Sequence, residues 1–525
     1  MTHLHTGTST LAAAVRLALC SLFTAALGIT GTAVAAPGDA TRVVVTFKPG
    51  MSTQAKAAIA AAKGAVKLEL PALDAIAVEV PAAALPALRN NPHFALIEED
   101  VKRYPVALSS ASGAPYLSGQ QVPYGIKLVQ ADQLPDTYAG NRKVCIIDSG
   151  YDRAHEDLRL NPAEGKYDRG TGWWYTDENH HGTHVAGTIA AINNSGTGVV
   201  GVASGARLKL HIVKVFSAEG WAYSSSLAAA ATECGNAGAN VVNMSLGGAR
   251  PSRIEMIAFD KLQAKGVLSV AAAGNDGSGA IMFPAGYPNV LMVGALDENK
   301  AWAPFSQYNN KVELSAPGVG VLSTVPMGGA TEAALKVGVT SYAPGVMNGS
   351  PKISATAPLA DFGIGDRVNT AVAGKICLIA RGTISFATKV SNCQNSGGLG
   401  AVVYNNVAGS FGGTLGTTVT VIPSVTASDT EGAALKAQLG QNAVVAVKAT
   451  HYAFYDGTSM ATPHVAAVAA LVWSYFPSCT GLQMRTSLTK SALDLGTQGR
   501  DDKYGYGLVQ AKAAYDRIKA RGCGN

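Results

Sequence analysis

The sequence has few charged residues and no concentrated basic segment. Asp, Glu, Lys and Arg make up 14% of its 525 residues, and the formal net charge is +6. Because these positive charges are spread along the chain, we expect no nucleic-acid surface, which requires basic residues clustered on one face. A hydrophobic content of 47% is typical of a globular protein with a large core and excludes a disordered chain.

Long apolar segments are absent after the N-terminus, so the sequence predicts no membrane-spanning helix there. The apolar run 17–29 is too short to span a membrane comfortably, follows Arg16 and precedes the small residues 33–35. This pattern predicts an export signal over residues 1–36. Cys20 follows Leu19, which is atypical of a lipidated cysteine. We therefore expect a secreted, extracellular protein with no membrane contact after signal removal.

Cysteine is also scarce, and no two cysteines have the short spacing of a zinc site. Without Cys20 an even number remains, which indicates disulfides in an exported protein. Six cysteines allow 15 pairings. The simplest, local pairing joins Cys377 with Cys393, Cys479 with Cys523, and Cys145 with Cys234.

The chain divides into several regions by composition. Residues 41–103, within the region 37–105, follow a βαββαβ order, which predicts a compact ferredoxin-like module. Residues 105–121 have the composition of a flexible linker. A small module and a cleavable linker in an exported chain suggest a propeptide. In the region 106–326, continuous apolar strands from 144 onwards alternate with helices, which predicts an α/β fold with a doubly wound, mostly parallel sheet.

Residues 327–450 are rich in Gly, Thr, Val and Ala and predict an inserted, mostly β domain. Residues 451–525 would then complete the sheet domain. The insertion could act as a lid that gathers substrate or as a spacer without a catalytic part, and the sequence does not choose between them.

Ser459 lies in the segment 457–464, immediately before the apolar, Ala-rich run 465–476. That run predicts a buried helix. Ser459 would therefore sit at a helix N-terminus, where unpaired N–H groups favour negative charge. Taken alone, the segment would be better interpreted as an ordinary capped core helix.

Two further residues could activate this hydroxyl. Asp148 ends the strand 144–147, and His181 opens a helix with Gly182 beside it. A serine nucleophile needs a base, and the base needs a third group that orients it and stabilises its charge. The order Asp, His, Ser is one of the known serine-hydrolase orders and differs from that of α/β-hydrolases, whose Gly-x-Ser-x-Gly motif is absent around Ser459.

The histidines His180, His181 and His184 allow a rival interpretation as a metal site. The His-Glu-x-x-His pattern of zinc proteases is absent, because Gly182 and Thr183 separate His181 from His184.

The segments 145–150, 181–187 and 457–466 resemble the three signature blocks of the subtilisin-like serine proteases, the subtilases. This resemblance implies a catalytic triad of Asp148, His181 and Ser459, with His184 and His464 in structural roles. The segment 271–277 is similar to the oxyanion block of the family, which makes Asn275 a donor to the oxyanion together with the Ser459 N–H.

The segment 243–248 resembles the strand on which subtilases bind an extended polypeptide substrate as an additional strand. The resemblance implies two pocket walls, which comprise Ser245, Leu246 and Gly247 on one side and Ala272, Ala273 and Gly274 on the other. These small, apolar walls suggest tolerance of large apolar residues, and Asp276 at the rim could favour a basic one.

The loop 193–199 resembles a subtilase calcium loop, although it has one residue more than the family pattern. The resemblance implies oxygen ligands, which suit a hard cation, from Gln120, Asp157, Ile192, Asn194 and Val199. The alternative is a glycine-rich turn that binds no metal. No organic cofactor is implied.

Residues 41–103 resemble inhibitor-like propeptides, with processing expected between Tyr104 and Gln121, and residues 374–405 with 422–427 resemble a protease-associated domain. The resemblance covers nearly all of the chain after the signal. It implies a secreted, monomeric serine endopeptidase that forms an acyl-enzyme, is made as an autoprocessed zymogen and is inhibited by its own propeptide. The alternatives are a binding protein with an inactive protease fold and an acyl transferase that uses an amine in place of water.

Overall fold

The computed structural model describes residues 40–106, 119–194 and 196–525. The predicted signal and most of the predicted linker lie outside these ranges. Within them, every helix is too short or too polar to cross a membrane.

The N-terminal module is an antiparallel sheet with strand order β2-β3-β1-β4 and helices on one face, as predicted for a ferredoxin-like unit. Its elements are β1 Ala40–Phe47, α1 Ser52–Ala61, β2 Ala65–Leu70, β3 Ala75–Pro81, α2 Leu85–Arg89 and β4 Phe94–Glu99. Val43 and Val45 of β1 pack with Ile59 of α1 in the module's own core. Val44 points the other way and joins the core of the larger domain, so the module is docked through the opposite face of its sheet.

The larger domain contains a parallel sheet with strand order β18-β17-β16-β14-β7-β12-β8. The elements from the end of the module to the insertion are β5 Lys102–Pro105, β6 Gln120–Gln121, α3 Tyr124–Leu128, β7 Lys143–Asp148, β8 Ala163–Gly165, β9 Tyr167–Asp168, β10 Gly172–Trp173, α4 His181–Ala190, β11 Gly198–Val199, β12 Lys209–Lys214, β13 Ala222–Tyr223, α5 Ser224–Asn236, β14 Val241–Met244, β15 Leu246–Gly247, α6 Arg253–Ala264, β16 Leu268–Ala272, β17 Val290–Leu296, β18 Val312–Pro317 and β19 Val321–Thr324.

Helices cover both faces of this sheet, which explains its continuous apolar strands. Val144 and Ile146 of β7 face the core shared with α4, whereas Cys145 and Ile147 face the core shared with α5 and α6. The predicted doubly wound α/β fold is confirmed.

The inserted region forms a sheet with strand order β21-β20-β28-β23-β24-β25-β27-β22-β26, as expected of a mostly β domain. Its elements are β20 Ala330–Val337, β21 Thr340–Tyr342, β22 Gly345–Asn348, β23 Ser354–Asp361, β24 Ile376–Ala380, α7 Phe386–Asn395, β25 Gly400–Tyr404, β26 Gly413–Thr414, β27 Ser424–Ala427, α8 Asp429–Lys436 and β28 Asn442–Thr450. Ser385 and Ser428 cap the two helices, each accepting a backbone N–H through its hydroxyl.

The chain then returns to the sheet domain through β29 Tyr452–Tyr455, α9 Thr458–Tyr475, α10 Gly481–Ser491 and α11 Ala511–Arg521. β29 pairs antiparallel with β19, so the strands on either side of the insertion lie next to each other. α9 is buried along almost its whole length, as its apolar sequence predicts.

The structure contains the disulfides Cys145–Cys234, Cys377–Cys393 and Cys479–Cys523, which are the predicted pairs. The first ties β7 to α5 and the second ties β24 to α7. The third ties the segment after α9 to the C-terminus.

Candidate active site

The end of β7 and the start of α4 are held together by close backbone packing. Asp148 Oδ1 lies 2.7 Å from His181 Nδ1. The Gly182 N–H donates to Ser149 Oγ at 2.8 Å, which links the two segments directly. A Cβ at Gly182 would lie 2.3 Å from the Gly150 carbonyl oxygen, so only glycine permits this approach.

The surroundings of His181 favour a charged imidazole. Burial lowers its pKa, but the charge and hydrogen bond of Asp148 and the more distant charge of Asp177 together outweigh burial, so the pKa of His181 is raised above its ordinary value. Its Nε2 atom has no hydrogen-bond partner among the described residues. The outer nitrogen is therefore available to accept a proton.

Asp177 joins the end of β7 to the start of α4, and it was not predicted from the sequence. Its carboxylate accepts hydrogen bonds from Ser149 Oγ at 2.8 Å, from Thr183 N at 2.8 Å and from Thr183 Oγ1 at 2.6 Å. It also accepts the N–H of His180, which has a left-handed φ of 74° just before α4. An acidic residue four positions before the helix was the available signal, since carboxylates favour helix N-termini.

Ser459 is the second residue of α9, where its N–H has no acceptor inside the helix. Its Oγ donates to the Ser245 carbonyl at 2.9 Å, and Ser245 Oγ donates to the Ser459 carbonyl at 2.8 Å. α9 packs against α4, which carries His181. In this arrangement the hydroxyl is bonded to Ser245, while His181 Nε2 has no partner among the described residues, so Ser459 and His181 are not hydrogen-bonded to each other.

The other two buried histidines bond to backbone carbonyls. His184 Nε2 lies 3.1 and 3.0 Å from the carbonyl oxygens of Val321 and Ala453, and burial lowers its pKa to about 3. His464 Nδ1 lies 2.8 Å from the Met460 carbonyl, and burial lowers its pKa to about 4. Both are neutral packing residues in this arrangement, and the described residues contain no cluster of His, Cys, Asp and Glu that could hold a metal.

A cleft beside Ser459 contains the segment that follows the N-terminal module. β5 pairs antiparallel with β15 on one side and β13 on the other. Beyond β5, the Val106 N–H donates to the Ser245 carbonyl at 3.2 Å. Residues 245–247 thus bind an extended segment by strand addition. The sequence analysis placed Pro105 and Val106 in the linker 105–121, but in the structure both belong to this bound segment.

Asn275 contacts the end of the bound segment. Its Nδ2 donates to the Val106 carbonyl oxygen at 2.9 Å. Its Oδ1 accepts from the N and Oγ1 atoms of Thr458, each at 2.9 Å. Because Thr458 fixes the oxygen of the amide, the nitrogen is directed to the Val106 carbonyl.

The second predicted pocket wall lies deeper. Ala272 and Ala273 are fully buried, and the Gly274 N–H donates to Thr458 Oγ1 at 3.1 Å. Their contact with substrate stays a prediction. Asp276 is exposed next to Asn275.

The predicted calcium ligands are brought together around Asp157. This buried carboxylate accepts from Asn194 Nδ2 and from the Val199 N–H, both at 2.7 Å. Gln120 Nε2 lies 3.3 Å from the Ile192 carbonyl oxygen and from Asn194 Oδ1. The cluster contains the carboxylate, amide and carbonyl oxygens that calcium prefers. In this arrangement they accept N–H groups from Gln120, Asn194 and Val199.

Comparison with known proteins identifies the chain. Residues 140–350 and 401–507 match the subtilase family of peptidases, and residues 344–435 match the PA domain. The chain belongs to the subtilase family. A PA domain is inserted within its subtilase domain.

Individual subtilases support this assignment. The chain is 39% identical over 280 residues to an alkaline protease of Alkalihalobacillus alcalophilus, which covers 51% of this chain and 66% of that protein, just under two thirds. It is 44% identical over 214 residues to subtilisin DY of Bacillus licheniformis, which covers 39% of this chain and 76% of that protein.

Solved structures agree with the fold. The psychrophilic subtilisin-like protease Apa1 of Pseudoalteromonas sp. AS-11 is 42% identical, with a TM-score of 0.60 over 77% of this chain and 100% of that chain. Fervidolysin of Fervidobacterium pennivorans, at 23% identity and a TM-score of 0.59, covers 92% of this chain and 62% of that chain and supports the fold alone.

Proposed function

We propose that this subtilase is a secreted serine endopeptidase that cleaves extended polypeptides through Ser459, His181 and Asp148. We further propose that residues 37–106 are an inhibitory propeptide, one residue longer than the predicted 37–105, and that residues 107–326 and 451–525 form the catalytic domain. The predicted export signal supports secretion. The relatives, which are proteases by name, support the reaction class.

One observation carries this proposal. The Val106 N–H and the Ser459 hydroxyl both donate to the carbonyl oxygen of Ser245, while Asn275 binds the Val106 carbonyl. A peptide carbonyl next to a serine hydroxyl and held by a side-chain amide is the arrangement that acyl transfer requires. The bond after Val106 is therefore the proposed processing site, which narrows the expected range of Tyr104 to Gln121.

The proposed reaction begins when the Ser459 hydroxyl turns from Ser245 to His181 Nε2. As Oγ bonds to the Val106 carbonyl carbon, its proton moves to Nε2, and Asp148 stabilises the resulting imidazolium. Asn275 Nδ2 and the Ser459 N–H stabilise the oxyanion. The C–N bond then breaks, and the amine leaves with the proton from Nε2. Water then attacks the acyl carbon while it gives a proton to His181, and His181 passes that proton to Ser459 Oγ as the ester bond breaks.

The test compares full-length wild type with Ser459→Ala, and uses Ser474→Ala as the matched control. Ser474 is another buried serine of α9, whose hydroxyl donates to the Leu471 carbonyl. Wild type and the control should release a chain that begins at Ala107, detected by mass spectrometry, and a serine-directed fluorophosphonate should label Ser459. The Ser459→Ala protein should stay unprocessed.

Other outcomes would overturn the proposal. Processing of purified Ser459→Ala at the wild-type rate would exclude Ser459 as the nucleophile. Processed wild type that takes up no reagent would indicate a binding protein with an inactive protease fold. A product joined to an added amine in place of the free acid would indicate acyl transfer.

We propose in addition that Gln120, Asp157, Ile192, Asn194 and Val199 hold a structural calcium ion. Binding to the folded state alone would raise the melting temperature with calcium concentration. The double variant Gln120→Ala/Asn194→Ala should lose this dependence while remaining folded in chelator. A wild-type melting temperature that is equal in calcium and in chelator would contradict the site.

A further inference from the structure

A buried ion pair joins the bound segment to the body of the protease. Asn275 binds the carbonyl of Val106, the residue before the proposed cleavage site. When Val106 is counted as the first residue before the cleaved bond, Arg103 is the fourth. It is 1% exposed, and its Nη2 atom donates to Glu255 Oε2 at 2.7 Å. Glu255 lies on α6 and is fully buried.

Three further groups complete the surroundings of the guanidinium and the carboxylate. Arg103 Nη2 also donates to the Arg250 carbonyl at 3.0 Å, and Nη1 donates to the Lys102 carbonyl at 3.0 Å. The Tyr287 hydroxyl lies 2.9 Å from Glu255 Oε2, to which it donates. The acidic group therefore belongs to the protease, and the basic group belongs to the segment in the cleft.

Because of this ion pair, the cleft should bind a segment that carries a cation at the position of Arg103 better than one that does not. Burial raises the pKa of Glu255, and the charge of Arg103 opposes that effect. Removing one partner of a buried ion pair leaves an uncompensated charge, which is strongly unfavourable. When the segment leaves the cleft, Glu255 stays on α6, and its Oε1 atom has no partner among the described residues.

We infer that Glu255, oriented by Tyr287, forms a subsite that selects arginine at the fourth residue before the cleaved bond of substrate polypeptides. The inference rests on the proposed endopeptidase function and adds the substrate class. Neither Asp276, which the sequence offered as a partner for basic residues, nor the apolar pocket walls provide this contact.

The geometry favours arginine over other residues. The guanidinium reaches Glu255, the Arg250 carbonyl and the Lys102 carbonyl at once, whereas a lysine ammonium lacks this planar fork. Leucine would leave the carboxylate unpaired, and glutamate would place two negative charges together. By contrast, Tyr104 at the third position is 49% exposed, so we expect little selection there.

The test measures kcat/KM of the processed wild-type enzyme on p-nitroanilides of the sequence Lys-Arg-Tyr-Pro-Val. The second residue is replaced by Lys, Leu or Glu, and a control series replaces Tyr by Leu or Glu. We expect arginine to exceed leucine by about 100-fold, which reflects the unpaired buried charge. The control series should stay within about threefold of the parent, as exposed contacts contribute little.

Variants at Glu255 sharpen the result. Glu255→Gln should lower the ratio of kcat/KM for the arginine peptide over the leucine peptide at least tenfold. The double variant Arg103→Leu/Glu255→Leu keeps the contact apolar on both sides, and it should hydrolyse the leucine peptide faster than the arginine peptide. The matched control Asp260→Asn changes an exposed carboxylate on the same helix and should leave the ratio unchanged.

The outcomes separate the two proposals. Equal hydrolysis of the arginine and leucine peptides by wild type would overturn the subsite while the protease function stands. Hydrolysis of none of the peptides, together with no labelling of Ser459, would overturn the proposed function itself. If the leucine double variant fails to fold, the wild-type peptide series still decides the question.

Discussion

The N-terminal module contacts the protease in two different ways. At one contact, carboxylates at the end of β4 meet the N-termini of α5 and α6. Glu98 accepts the N–H groups of Arg253 and Ile254 at 2.7 and 2.8 Å, and Asp100 accepts the Ser225 N–H at 2.9 Å. At the other contact, residues 102–106 lie in the cleft and end at Val106.

One contact holds the module on the protease, and the other positions the bond after Val106 for cleavage. Neither helix has a side-chain cap from its own N-cap residue, so the module supplies the missing acceptors. These bonds do not involve the bond after Val106 and should survive its cleavage. The cleft contacts position that bond for reaction. Retention of the module and its cleavage therefore depend on separate residues, which can be changed independently.

The largest effect should come from breaking the cleft contact alone. Asn275→Ala removes the donor to the Val106 carbonyl and should lower kcat about 10²–10³-fold. Peptide hydrolysis by the processed enzyme and the processing rate of the full-length chain both measure this. The matched control is Asn289→Ala, an exposed side-chain amide that bonds Asp260. Equal kcat in the Asn275 variant would remove Asn275 from the oxyanion site.

Breaking the helix caps should affect stability and leave the cleft intact. In an unprocessed Ser459→Ala background, Glu98→Gln should lower the free energy of unfolding by about 1 kcal/mol, the usual contribution of a helix cap. Asp100→Asn should lower it by more, because it also weakens the buried ion pair of Asp100 with Arg42. Urea denaturation measures the change, and in the wild-type background the cleaved module should dissociate faster. An unchanged midpoint in both variants would show that the carboxylates do not hold the module.

The pH dependence of kcat tests the role of His181 as the base. His181 must be neutral to accept a proton, and its pKa is raised, so kcat should fall as the pH decreases through a value above the ordinary 6.5 of histidine. Asp177→Asn removes one of the charges that raise this pKa, and the acid limb of kcat should move to lower pH. Asp168→Asn, at an exposed turn, is the control. A limb that moves to higher pH would contradict the assignment.

The sequence predicted the parts of this architecture that depend on local patterns. The strands β7, β14 and β16 are continuous apolar runs because helices cover both faces of the sheet. In the insertion, β20–β23 were not identified individually, because their polar and small residues alternate weakly.

The arginine subsite could not be predicted, because it depends on distant residues. Glu255 resembles an ordinary first-turn acidic residue of an amphipathic helix, and its partner lies 152 positions earlier. No local pattern connects them. Asp177 was similarly hidden, since its role appears only when Ser149 and Thr183 are folded against it. The triad was accessible because its three segments carry recognisable motifs.

The smallest effect should come from the exposed ion pair that flanks both contacts. Arg250 forms two hydrogen bonds of 2.6 Å with Glu99, but both side chains are more than half exposed. Because water screens such pairs, Glu99→Gln should change neither the urea midpoint nor kcat measurably. Measured beside Glu98→Gln, it distinguishes charge at the interface from hydrogen bonding to a helix N-terminus. A loss equal to that of Glu98→Gln would show that overall charge attraction, and not the caps, holds the module in place.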